Sequence, residues 1–471
     1  MSLSANEINS IVEKVVQRLE STDARRGSST GSLPAGIFPT LDQAFEAAKN
    51  AQKSLRNLEF RAKAIQAMRD ASVKHAKELA QIAVAETGLG RVETKTQKNL
   101  IQAHKTPGLE DLQPLAMTGD HGLTLVENAA WGVIASVTPS TNPGATIINN
   151  SISMVAAGNA VLFAPHPSAK RVCQRAITIL NEAIASAGGP DSVLTTIEEP
   201  SIEAAQELFV YPGIDLLVVT GGGGVVKAAR KVTDKRLMAA GPGNPPVVVD
   251  ETADLARAGK GIVDGSSFDN NIMCTCEKEI IAVDSIADRL KEEMVKNGAY
   301  ELTADQADRL GAIIMNNYPN RDATPHRDWI GKNADLIAKQ IDLKVPEGTR
   351  LLFVETDKNH PFAVKELMMP VISLVRVADA DTAIDVAVEL EKGNRHTAVM
   401  YSKNLDNLDR MANEINCSIF VKNGPNYAGL GFGGEGSTSM TITTPTGEGV
   451  TSARTFVRLR RCVLVDNFRI V

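Results

Sequence analysis

The sequence is short of several things, and each shortage closes off a class of protein. It holds only five cysteines, scattered over 471 residues, which is no disulfide framework and suits a reducing compartment. Cys274 and Cys276 stand two apart with no second pair and no neighbouring histidine. A zinc site needs four ligands at recognisable spacing, so no metal is expected. No apolar run approaches the ~18 residues of a membrane span, and no secretory signal is read at the start of the chain. Basic residues are not in excess: the net charge is −6, which leaves no electrostatic footprint for nucleic acid. The expectation is an intracellular soluble protein with neither a membrane nor a nucleic-acid partner. Its 43% hydrophobic and 23% charged residues are ordinary for such a chain, and its length is enough for roughly two or three domains.

What is present begins with Ile8, Ile11, Val12, Val15, Val16 and Leu19, an apolar stripe at helical spacing over residues 1–21, with Ser4 or Asn6 as cap. A Ser-, Gly- and Arg-rich stretch over 22–37 reads as a flexible linker. The tethered helix either folds back on the body or lays its stripe on a partner. Its polar face mixes Glu13, Lys14, Arg18 and Glu20, which argues against a membrane surface. Leu41 to Glu86 is almost all helix former, closed by Gly88 and Gly90.

Then strand and helix alternate. Buried strands are expected at 132–137, 160–163, 192–197 and 215–219, and a second set from Val247 through regions near Ile281, Leu352, Ile372, Val399 and Ile419. Helices are expected between them, including 145–157, 286–296, 305–315, 382–391 and 405–415. Such alternation predicts doubly wound parallel sheets in two α/β domains, 38–245 and 246–435, with a ligand cleft between them. The tail over 436–471 reads as extended and suited to pairing across a subunit interface.

Cys274 is the residue of greatest chemical interest. A thiolate attacks carbonyl carbon without a metal, and Cys274 lies between a small polar run, Gly265 to Asn271, read as an exposed turn, and a buried strand from Glu279. The competing reading is an inert buried cysteine. Thr220-Gly221-Gly222-Gly223-Gly224-Val225 follows a buried strand and opens a helix, a place for a phosphate or for a tight turn. Gly429-Leu430-Gly431-Phe432-Gly433-Gly434 matches the letters of a dinucleotide fingerprint but lacks the strand before and the helix after it. It remains a glycine-rich loop able to line a site. His166, His360 and His396 lie near turns and read as structural.

Four segments in order resemble the aldehyde dehydrogenase superfamily, in its coenzyme A-acylating branch from bacterial microcompartments. They are Thr138-Pro139-Ser140-Thr141-Asn142-Pro143, Thr220 to Gly223, Phe268 to Glu277, and Glu366-Leu367-Met368-Met369-Pro370. The closing run Asn423-Gly424-Pro425 through Glu448-Gly449 and Arg460-Arg461-Cys462 resembles that branch too. The resemblance implies an aldehyde dehydrogenase-like fold: a cofactor-binding domain over 38–245 with an oligomerisation segment near 113–130, and a catalytic domain over 246–435. It implies Cys274 as nucleophile and Asn142 as oxyanion donor, with Thr138, Pro139, His166, Pro167, Gly221, Gly222, Gly223, Val225, Ala240, Gly241, Glu366 and Leu430 around the cofactor. The implied cofactor is NAD, with coenzyme A as co-substrate in a shared pocket. Further implications are a short aldehyde, propionaldehyde ahead of acetaldehyde, a homodimer or homotetramer, and attachment to shell or core proteins through the N-terminal helix.

One departure from the family pattern carries chemistry of its own. Hydrolytic members place a glutamate in an E-L-G-G-K-x-P segment; here the run is Ala240-Gly241-Pro242-Gly243-Asn244-Pro245-Pro246. Without that base water is a poor attacker on a thioester, whereas a thiol is partly ionised near neutral pH. The expected product is therefore an acyl-coenzyme A and not a free acid.

Overall fold

The computed structural model describes residues 33–470. The expected helix over 1–21 and most of the linker fall outside this range; Ile37–Phe38 already pairs in parallel with Thr196–Ile197.

Two parallel sheets carry the fold. The first has six strands in the order Ile37–Phe38, Leu194–Ile197, Ala160–Pro165, Val133–Thr138, Leu216–Thr220, Arg236–Ala240. The second has seven: Ala299–Glu301, Leu351–Thr356, Val371–Val377, Glu279–Val283, Pro246–Val249, Thr397–Tyr401, Ile419–Lys422. Every residue of Val133–Thr138, Ala160–Pro165, Pro246–Val249 and Glu279–Val283 is buried. Helices cover both faces of such sheets, so these strands read as continuous apolar runs and not as alternating ones. A third, antiparallel sheet joins Leu115–Gly119, Gly122–Ala130 and Val457–Val465. It stands apart from the core, with Leu115, Met117, Leu459, Val463 and Val465 exposed.

Strand order places the site. After the edge strand Ile37–Phe38, the chain enters the middle of the first sheet at Val133–Thr138, moves outward through Ala160–Pro165 to Leu194–Ile197, then returns to the other flank with Leu216–Thr220 and Arg236–Ala240. That reversal is a topological switch point, and ligands of open α/β sheets bind outside the carboxyl ends of the strands beside it. The chain then passes through residues 241–245 into the start of the second sheet.

Several elements went unassigned in the sequence. Leu41 to Glu86 divides into helices Leu41–Gln52 and Leu58–Thr87, because Asn57 accepts from the Phe60 N–H and caps a new start. Helices Val92–Lys105 and Leu255–Ser266 and the strand Arg236–Ala240 are additional.

The run Gly265 to Asn271 corrects the sequence reading. It is buried throughout, and Ser266 ends a helix. Its asparagine amides are bonded, while the Ser266 and Ser267 hydroxyls are buried with no hydrogen-bond partner among the described residues. Asn270 Nδ2 donates to the Gly331 carbonyl and to Asn333 Oδ1, both at 2.8 Å. Asn271 Nδ2 donates to the carbonyls of Ser266 and Glu277. A small, polar stretch is the composition of a surface turn, but here it makes a buried loop held by its asparagine amides.

Candidate active site

The expected cofactor residues gather at the switch point. Thr138 pairs with Pro165, Val137 with Val219 and Thr220 with Ala240. The carboxyl ends of four adjacent strands therefore present Thr138 and Pro139, His166 and Pro167, Gly221 to Gly223, and Ala240 and Gly241 along one edge. The His166 N–H donates to the Thr138 carbonyl at 3.2 Å, which joins two of these ends directly. Helix Gly223–Val232 starts at Gly222 with no side-chain cap, so its first N–H groups stay available to an anion. A Cβ on Gly222, Gly223 or Gly224 would meet nothing within 4 Å, so the backbone there is open to approach. Leu430 is different: it is buried in the apolar cluster that holds Phe268, Cys276 and Met440, and serves packing.

Cys274 sits where the first sheet's carboxyl edge meets the amino end of strand Glu279–Val283. It is half-buried, while Cys276 is wholly buried with its Sγ 3.6 Å from the Phe268 carbonyl. The loop that delivers Cys274 has three consecutive residues in the left-handed region, Asp269, Asn270 and Asn271 (φ 48°, 54° and 63°). Asp and Asn tolerate this conformation better than other side-chain-bearing residues, and here it is held by bonds from three sides. The Lys278 ammonium donates to the Asn271 carbonyl at 2.8 Å, to Asn271 Oδ1 at 2.6 Å and to the Met273 carbonyl at 3.2 Å. Glu277 accepts from the Asn426 N–H at 2.8 Å and from the Asn426 amide, tying the loop to the 423–434 segment. Asp269 accepts from the Arg91 N–H (2.9 Å), Thr94 Oγ1 (3.1 Å), Lys95 (3.1 Å) and Lys98. Gly243 closes the floor: a Cβ there would lie 2.8 Å from the Cys274 carbonyl oxygen and 3.0 Å from His396 Cγ.

Asn142 is the N-cap of helix Pro143–Ala156. Its carbonyl accepts from the Thr146 N–H and hydroxyl, and its side chain is nearly buried. Asn142 Oδ1 accepts from Lys98 at 2.5 Å, while Nδ2 makes only a 3.3 Å contact to Thr141 Oγ1. Glu366 lies 3.7 Å from Lys278 and accepts from the Gly243 N–H.

Burial dominates the electrostatics. It pushes the Cys274 thiol up to about 12, with the Glu366 carboxylate adding to the rise and Lys278 and Lys98 opposing it. The resting form of Cys274 is therefore a neutral thiol. Burial likewise raises Glu366, despite Lys278 beside it, and carries Glu277 up to about 7. His396 is held down at about 4 by burial and by the Lys278 charge, so its imidazole is neutral. The His396 Nδ1 bonds the Thr397 hydroxyl at 2.9 Å and its backbone N–H donates to Glu391 Oε1, as in a structural histidine. Its place against Gly243, next to the Cys274 backbone, was not legible in the sequence.

Lys95, Lys98, Asp269 and Lys278 also escaped the sequence reading. Lys95, Lys98, Asn99 and Gln102 recur at helical spacing on the buried face of Val92–Lys105, a stripe that is polar where a core stripe is ordinarily apolar.

Comparison with known proteins bears on the family and the fold. A model of the aldehyde dehydrogenase family matches residues 11–452. Over 470 residues the chain is 60% identical to acetaldehyde dehydrogenase (acetylating) EutE of Escherichia coli (strain K12), with all of both chains covered. A propionaldehyde dehydrogenase from the Clostridium phytofermentans fucose utilisation bacterial microcompartment superposes with a TM-score of 0.90 at 43% identity, over 93% of this chain and 100% of that one. The propionaldehyde dehydrogenase of Rhodopseudomonas palustris, solved with bound CoA and an acylated cysteine, gives a TM-score of 0.90 at 44% identity over the same shares.

Proposed function

Since the chain belongs to the aldehyde dehydrogenase family, in its coenzyme A-acylating branch, we propose that its substrate is acetaldehyde and its product acetyl-coenzyme A, with Cys274 as the acylated nucleophile. Oxidation of an aldehyde to an acyl-coenzyme A is the activity of that branch. The observation that favours acetaldehyde over the expected propionaldehyde is the 60% identity to an acetylating enzyme against 43% and 44% to propionaldehyde enzymes.

In this reading the Cys274 thiol gives its proton to solvent water and the sulfur bonds to the carbonyl carbon. The oxyanion is met by the Asn142 Nδ2 protons and the Cys274 N–H; one such donor is commonly worth ~3 kcal/mol. The residues present fit a nicotinamide dinucleotide: open glycines at an uncapped helix start for its phosphates, and Glu366 near Cys274 for the ribose of its reacting end. When bound, NAD supplies the acceptor for the aldehyde hydride. Cys274 then carries a thioester. Ala240 provides no carboxylate to activate water, so the acyl group waits for the coenzyme A thiol, which enters along the same strand ends and releases Cys274. One thioester replaces another, so the exchange is nearly balanced and reversible.

The same proposal includes a homodimer or homotetramer joined through the antiparallel sheet of residues 115–130 and 457–465, whose exposed apolar residues support it. It also includes a place inside a bacterial microcompartment, reached through residues 1–21, whose apolar stripe Ile8 to Leu19 supports it. The test is the ratio of kcat/KM for acetaldehyde and propionaldehyde with NAD and coenzyme A. Acetaldehyde should lead; a clear lead for propionaldehyde would overturn the assignment. Free acid as main product in the presence of coenzyme A would favour the hydrolytic alternative.

A further inference from the structure

Lys98 takes no direct part in the chemistry set out above, yet its ammonium is buried among acceptors that belong to two different parts of the site. It donates to Asn142 Oδ1 at 2.5 Å and to the Asp269 carboxylate. Lys95, one helical turn earlier on the same face, repeats the bridge: it donates to the Thr141 carbonyl at 2.9 Å and to Asp269 at 3.1 Å. Two lysines of one helix thus join the segment carrying Asn142 to the loop carrying Cys274, five residues beyond Asp269.

The chemistry of an ammonium makes this bridge directional. Lysine has three donors and no acceptor, so only the oxygen of the Asn142 amide can face it. The amide nitrogen must then point the other way, where its single protein contact is the weak 3.3 Å approach to Thr141 Oγ1. One N–H proton is left without a partner among the described residues. A charge-assisted bond to the amide oxygen also draws electron density from the nitrogen and strengthens that proton as a donor. Asp269 gives the ammonium its counter-charge and fixes where it stands relative to the nucleophile loop. A purely structural account explains the Asp269 contact but gives no reason for the second bond to end on Asn142.

We propose that Lys98 is a positioning residue for the reaction: it locks the Asn142 amide with its N–H₂ turned toward the substrate oxygen and registers that amide to the Cys274 loop through Asp269. The inference rests on Asn142 as the oxyanion donor. It predicts that Lys98 acts through Asn142 and has little effect once that side chain is gone.

The experiment is a double-mutant cycle on the full-length enzyme, with kcat measured at saturating NAD, aldehyde and coenzyme A for Lys98→Met, Asn142→Ala and the pair. Lys98→Met alone should lower kcat by roughly 10- to 100-fold, with KM for NAD and coenzyme A held within about twofold. In the Asn142→Ala background the same change should cost less than about threefold. Equal losses in the two backgrounds would overturn the proposal, since a structural lysine weakens the enzyme whichever residue occupies position 142. If Asn142→Ala by itself leaves kcat nearly intact, the oxyanion assignment fails first and the role of Lys98 falls with it. Should thermal unfolding show Lys98→Met to be misfolded, Lys98→Gln combined with Asp269→Asn removes both charges of the pair, and the same cycle decides.

Discussion

Lys278 Nζ stands 3.7 Å from a Glu366 carboxylate oxygen, and the two charges bear on the Cys274 thiol in opposite senses. The thiol is thus poised by a pair, with burial setting the baseline. Because the net result lies at about 12, the thiolate fraction at neutral pH is small and grows about tenfold per pH unit. Alkylation of Cys274 by iodoacetamide should follow that slope from pH 7 to 9. Glu366→Gln removes the acidic member and should speed alkylation at pH 8 by about three- to tenfold; Lys278→Met should slow it. Rates followed by mass spectrometry of the Cys274 peptide check both directions, and a slower Glu366→Gln would contradict the pairing.

Cys276 offers the reverse case. Its sulfur is wholly buried against the Phe268 carbonyl and within the apolar cluster under the second sheet. Cys276→Ala should keep most of the activity and cost about 1 kcal/mol of stability, measured by denaturant unfolding beside steady-state rates. Loss of all activity in a folded Cys276→Ala would move the nucleophile.

Glu277 gives a pH signature. Burial holds its folded-state value up at about 7, above the ordinary 4.5. Between these values the folded protein binds more protons at this group than the unfolded chain does. Stability therefore falls as pH rises from about 4.5 to 7 and is level above, a change on the order of 3 kcal/mol. The stability difference between wild type and Glu277→Gln should move in favour of the variant across that window. A difference independent of pH would contradict the assigned burial effect.

The position of the missing base can be probed directly. Ala240 is buried at the end of its strand, with Gly241 packed on Pro445. Ala240→Glu should raise acid release from acetaldehyde and NAD with coenzyme A omitted, because a placed base is commonly worth 10²–10⁴-fold for water attack. A folded variant that forms the acyl adduct and releases acid no faster than wild type would show that Ala240 is not that position.

Much of the framework was legible because buried parallel strands announce themselves: Val247-Val248-Val249 and Val133 to Thr138 are apolar runs with no competing reading. Cys274 stood out as the candidate nucleophile only through the resemblance. Composition alone left Cys274 between reactive and inert, and it misplaced the loop before it. The Val92–Lys105 helix was hidden because its inward face is built of Lys95, Lys98, Asn99 and Gln102, which pattern analysis assigns to solvent. Leu255–Ser266 was hidden by its glycines, which lower helix propensity. Gly265 is there because a side chain would strike the Glu277 carboxylate. In both helices the cue was lost where the sequence serves the site and not the fold.

Whether Cys274 carries the acyl group is decided by intact-mass analysis after incubation with acetyl-coenzyme A. Wild type and Cys276→Ala should each gain one acetyl group that added coenzyme A removes, and Cys274→Ala should gain none. An acetyl adduct persisting in folded Cys274→Ala would contradict the account.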